Sequence, residues 1–124
     1  MDIILGQTVY VQDDIAQAVG IDTYANGNTE VIVRWGNGTH QSFNANECIP
    51  MTPAQSRAYI VLAEMVYLFL SRAVTETESG IRVAVRFGDE DHEYTIAQDG
   101  TLSAIGTPSA DMAQAHQRAL AYLA

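Results

Sequence analysis

The stretch Val31-Ile32-Val33-Arg34-Trp35-Gly36-Asn37-Gly38 decides how the first half of this 124-residue chain is read. Val31, Val33 and Trp35 fall on one face while Glu30, Ile32 and Arg34 fall on the other, the period of two that belongs to a half-buried β-strand. Asn37-Gly38 then turns the chain, because both central positions of a type I′ hairpin turn need φ > 0. Asn26-Gly27 gives the same signal just upstream. Outward from this strand, Gln7–Gln12 alternates with Val9 and Val11 on one face. Ile15–Tyr24 sets Val19 and Ile21 in phase around Gly20, and Thr39–Phe43 brings Gln41 and Phe43 into phase. Four short strands with two Asn-Gly turns describe an antiparallel meander. A meander this short must curl to bury its apolar face.

The V-x-V-x-W strand, the polar turn, Phe43 and the exit Glu47-Cys48-Ile49-Pro50 together resemble the closing part of small SH3-like barrels of the KOW and Tudor type. The resemblance covers about a third of the chain and speaks to shape, since one fold hosts many functions. It implies an N-terminal SH3-like antiparallel β-barrel over residues 1–51. Such barrels serve as peptide, nucleic-acid and methylated-residue readers and as plain structural modules.

Residues 52–124 read as an α-β-β-(β)-α unit, which makes the fold class α+β. Thr52-Pro53-Ala54-Gln55 offers an N-cap, a proline at N1 and a glutamine at N3. The helix is expected to reach Arg72 or Val74. From Ala58 to Leu70 it is apolar on nearly every side, with Arg57, Glu64 and Ser71 drawing a narrow polar stripe. That run is too short to span a bilayer, so the helix should be buried on several sides. Tyr59, Leu62, Met65, Val66 and Phe69 would then form either the core or a homodimer interface. Thr75–Gly80 reads as a loop, Ile81–Phe87 as an alternating strand, Gly88–His92 as a turn and Glu93–Ala97 as a second strand. Asp99-Gly100 turns into a third short strand over Thr101–Ile105. Thr107-Pro108 opens a last helix with Met112, His116, Ala119, Leu120 and Leu123 on one stripe.

Charge narrows the partners. Fifteen acidic residues face six basic ones for a net charge of −9, and all six are arginine. A lysine-free chain with scattered arginines repels nucleic acid and anionic membrane, because phosphate binding runs on clustered cations. It also excludes a phosphate-loop NTPase, whose loop needs a lysine. Met1–Gln7 lacks the basic start and the length of a signal peptide, so a cytoplasmic location is expected. Cys48 has no second cysteine to pair with, and a lone cysteine of this kind reads as buried and inert.

Candidate sites are few. Asp89, Glu90, Asp91, His92 and Glu93 crowd four carboxylates and an imidazole into five positions. No calcium-loop spacing is present, and no pair of histidines has zinc-ligand spacing. The run therefore reads either as a solvated hairpin tip or, with Asp13, Asp14, Glu76 and Glu78, as part of an acidic face for a basic partner. Tyr10, Tyr24 and Trp35 are candidates for an aromatic groove that would take a cation or a peptide. His40 should be exposed and His116 should sit in the core. No nucleophile motif, metal site or cofactor site emerges.

These features lead to a non-enzymatic acidic module that binds a protein with a basic surface. Its size and acidity also resemble the proteins that phages and other mobile elements carry to block nucleic-acid-handling defence complexes of the host. The rival readings are a small metal-dependent enzyme or hydrolase using Asp89–Glu93, and a structural homodimer without a ligand.

Overall fold

The structure, a computed structural model, describes residues 3–65, 72–87, 90–107 and 109–124, with the side chains of residues 65, 72, 73, 86, 87 and 90 left aside. The chain divides into two compact units, Met1–Thr52 and Pro53–Ala124. Among the described residues no helix is long and apolar enough to cross a membrane.

Unit 1 holds β1 (Thr8–Val11), β2 (Asp14–Thr23), β3 (Thr29–Arg34), β4 (His40–Asn44) and β5 (Ile49–Met51), with a 3₁₀ turn at Ala45–Glu47 before the last strand. They form one antiparallel sheet in the order β4-β3-β2-β1-β5. The sheet is not closed, because β4 and β5 stand at opposite edges. The barrel expected from the sequence is thus an open five-stranded sheet. Its core is built from alternate residues: Val9 and Val11, Ala16 and Ala18, Val31 and Val33, then Phe43 and Cys48. Val31 and Val33 are completely buried, and each contributes roughly 1.5–3 kcal/mol through burial.

The phase of β2 departs from the expected one. Ala18 stands opposite Val33 but Gly20 stands opposite Ile32, so Val19 is an extra residue without a partner. This β-bulge turns Val19 outward, where it is 41% exposed, while Ile21 returns opposite Val31. Bulges bend the strand that carries them and increase its twist. Gly20 suits the spot, because a Cβ there would come within 3.0 Å of the Ile32 side chain.

The Asn-Gly turns also differ from expectation. Only the glycine of each pair has positive φ, +88° at both Gly27 and Gly38. Each forms the end of a three-residue loop: the glycine N–H donates to the carbonyl of Tyr24 or Trp35, and the asparagine Oδ1 accepts from the N–H two residues on. Gln98-Asp99-Gly100 repeats the device, with Asp99 in the asparagine's place. The type I′ geometry occurs instead at Gln12-Asp13, with φ of 49° and 65° between paired Val11 and Asp14.

Unit 2 holds α1 (Pro53–Met65), the strands β6 (Arg72–Thr77), β7 (Gly80–Phe87), β8 (Glu90–Ala97) and β9 (Leu102–Ile105), and α2 (Ala110–Leu123). The strands form an antiparallel meander in chain order. Here the expected helix is corrected. Arg72 to Thr77 is an edge strand paired with β7, so neither a helix reaching Val74 nor a Thr75–Gly80 loop is present. Within α1, Arg57, Ile60 and Glu64 face solvent while Ala58, Tyr59, Val61 and Leu62 are buried. The helix is therefore amphipathic over its described length. Buried Gln55 donates to the Ile96 carbonyl of β8, and Arg57 donates to the carbonyls of Tyr122 and Leu123 at the end of α2. A cation there meets the negative end of the helix dipole.

One face of the sheet carries Val74, Ile81, Val83, Val85, Tyr94, Ile96 and Leu102, all buried. Ser109, not Thr107, caps α2: its Oγ accepts from the Met112 N–H. Met112, Ala115 and Ala119 are the buried residues of α2, whereas Leu120 sits at the rim, 36% exposed.

Candidate functional site

The outer face of unit 1 is polarised along β3. Glu30, Ile32 and Arg34 share that face, with Asp22, Gly20 and Gln17 opposite them on β2 and Asn44, Ser42 and His40 opposite them on β4. At one end, Asp22 and Glu30 are direct cross-strand partners, and neither forms an ion pair among the described residues. Like charges directly opposite destabilise a sheet. Tyr24, 48% exposed, donates its hydroxyl to Glu30 Oε2 at 3.0 Å. That hydrogen bond, and then the Glu30 charge, push the Tyr24 phenol above its ordinary value.

At the other end lies a groove of about 550 Å³ that crosses β1, β2, β3 and β4 beside the Gly36–Gly38 turn. Gln17, Arg34 and His40 line it in register across three strands. Trp35 also lines it, held by an edge-on contact with Phe43 (6.1 Å between centroids, 89°) and by donation from Nε1 to Gln41.

The expected aromatic groove is not assembled as a trio. Trp35 lines the groove without Tyr10 or Tyr24. Tyr24 lies near the opposite end of β3, roughly 20 Å from Trp35 at about 3.3 Å per residue. Tyr10 points away from the Val9–Val11 face, is 6% exposed and donates to Asp13 Oδ1.

The acidic run is not a turn. Phe87 pairs with Glu90, so β8 has already begun there and the run lies mostly in a strand. Asp89 and the side chain of Glu90 lie outside the described residues. Asp91 and Glu93 share a face, opposite Arg86 and Ala84, while His92 takes the other face opposite Val85. Glu93 pairs with Arg82 at 3.1 Å, both partly exposed, a contact of the kind that contributes up to about 1 kcal/mol. Among the described residues no group of three His, Cys, Asp or Glu side chains could hold a metal ion. Asp13 and Asp14 lie exposed at the β1–β2 turn of unit 1.

Tyr59 and Leu62 are buried within the chain itself, which leaves them no surface to offer a second copy. The Met65 side chain, Val66 and Phe69 lie outside the described residues. Cys48 is buried, its Sγ donates to the Asn44 carbonyl, and burial pushes the thiol above its ordinary value. His40 is exposed, as expected, and lines the groove. His116 packs edge-on against Tyr94 at 5.4 Å. Among the described residues, neither its buried Nε2 nor the buried Tyr94 hydroxyl has a hydrogen-bond partner.

Sequence reasoning missed Asp22, Glu30, Gln17 and Arg34 as site residues. The pairing register sets Gln17 beside Arg34 at one end of β3 and Asp22 beside Glu30 at the other, and the bulge at Val19 shifts the latter pairing where no periodicity marks it.

No family of proteins, curated protein or solved structure matches this chain.

Proposed function

We propose that the chain is a non-enzymatic, acidic protein-binding module whose partner presents a basic surface. The observation that carries this reading is the Asp22–Glu30 pair, two carboxylates set directly opposite each other on the outer face of β2 and β3 with the Tyr24 ring beside them. Their repulsion works against the fold. An arginine or lysine from a partner would relieve it, and the exposed tyrosine face adds cation–π attraction. The net charge of −9 with no lysine extends the same field over the whole chain and steers a basic partner toward it. For unit 1, the return of β5 beside β1, the 3₁₀ turn ahead of β5 and the bend at Val19 support an SH3-like module.

An array of Arg- and Lys-rich peptides, probed with the intact chain at two ionic strengths, tests the reading. Binding should weaken with salt, as exposed charges more than about 10 Å apart are screened at 0.1 M. The Asp22→Asn/Glu30→Gln variant should lose it while Asp91→Asn/Glu93→Gln keeps it. Salt-insensitive binding, or equal loss in both variants, contradicts the proposal.

A further inference from the structure

Arg34 is the only arginine or lysine in residues 1–52, a stretch that also carries Asp2, Asp13, Asp14, Asp22, Glu30 and Glu47. Among the described residues none of these carboxylates pairs with it. Its Nη2 donates at 3.3 Å to the neutral Oε1 of Gln17. An exposed guanidinium with no counter-ion among the described residues still offers the rest of its donor fork, which suits a carboxylate bidentately. His40 stands directly opposite Arg34 and faces the same groove. A carboxylate seated between them would accept from an imidazole N–H as well as from the guanidinium.

The rest of the groove defines what carries that carboxylate. It crosses four adjacent strands, a span of roughly 14 Å at about 4.8 Å between neighbours, which an extended peptide of about four residues matches at 3.3 Å each. Its ends differ. Arg34 and His40 belong to β3 and β4, toward the sheet edge, whereas the other end is Thr8 on β1, with Gln17 and Ile15 of β2 before it and no cation among them. Gathering the cations at one end means that the carboxylate ends the ligand instead of interrupting it. Trp35 lines the groove where β3 meets the Gly36–Gly38 turn, with its ring fixed by Phe43 and Gln41. Gly36 keeps the wall low: a Cβ there would meet nothing within 4 Å.

We propose that this groove binds the carboxy-terminal tail of a partner protein, with Arg34 and His40 on the terminal carboxylate and Trp35 and Ile15 against the apolar side chains that precede it. The site lies at the other end of β3 from the Asp22–Glu30 pair, so its test is independent of the proposed function.

Trp35 is the chain's single tryptophan, and its emission reports the groove directly. The titrants are acetyl-Ala-Val-Ala-Leu with a free carboxylate, the same peptide as its C-terminal amide, and acetyl-Ala-Glu-Ala-Leu-amide. The free acid should shift Trp35 emission saturably, and both amides should bind at least about tenfold more weakly, as expected for loss of a charge-assisted pair. Gly36→Leu, which has room to fold as the wild type does, should block the shift, and Arg34→Gln should remove the preference for the free acid. Equal binding of acid and amide by the wild-type chain overturns the proposal, as does an internal glutamate that binds as tightly as the terminal carboxylate. A Trp35 signal that none of the peptides moves overturns it too. The peptide comparison on the wild-type chain decides the matter even if a variant fails to fold.

Discussion

Gln12 and Asp13 hold left-handed backbone without being glycine, a conformation that costs a side-chain-bearing residue energy. Asn-Gly is the pair suited to this two-residue turn. The Gln12→Asn variant, which keeps the Asp13 carboxylate that the Tyr10 hydroxyl donates to, should therefore be more stable, by up to about 1 kcal/mol in chemical denaturation. Asp99 plays the part in its turn that Asn26 and Asn37 play in theirs, and the Thr101 backbone N–H it accepts from lowers its pKa. A carboxyl lowered on folding stabilises above its unfolded value, near 3.9, and that stability is lost as pH falls through the lower folded value. Asp99→Asn should keep the turn and flatten the acid side of a melting-temperature profile measured from pH 2 to 6. Tyr94 is a third case. Its hydroxyl is buried with no partner among the described residues, and an unmet buried donor costs about 1–3 kcal/mol. Tyr94→Phe should leave the melting temperature unchanged or raise it.

At the scale of elements, much of the fold was legible where burial alternates cleanly. Val31, Val33 and Phe43, the Ile81-Val83-Val85 run and the Gly100 turn stand as their patterns indicate. The misreadings have physical causes. β6 is an edge strand with Thr75, Glu76 and Thr77 exposed, so its polar half looks like a loop while its start joins the apolar run after α1. The bulge at Val19 inverts the phase of β2, and the register that pairs Asp22 with Glu30 follows from it. Close backbone approach is likewise invisible to periodicity. At Gly80 an added Cβ would collide with the Ile96 carbonyl oxygen. Gly80→Ala should cost about 2–3 kcal/mol in the denaturation of the intact chain, as forced overpacking does, while Gly36→Ala, with open space around it, should cost far less.

Over the whole molecule, the acidic balance was plain in the composition, but its placement was not. The sequence singled out Asp89–Glu93, and the pairing of β7 with β8 instead sets Glu93 on Arg82 and Asp91 opposite Arg86. Asp22 and Glu30 face each other directly across β2 and β3 with no ion pair among the described residues, held together on unit 1 against their mutual repulsion. If that pair is kept for binding, relieving it must help the fold. Denaturation of Asp22→Asn in low and high salt tests this most directly. Asp22→Asn should be more stable than wild type by about 0.2–1 kcal/mol at low ionic strength, with the difference shrinking as salt screens the pair. A variant less stable than wild type at low salt would contradict it.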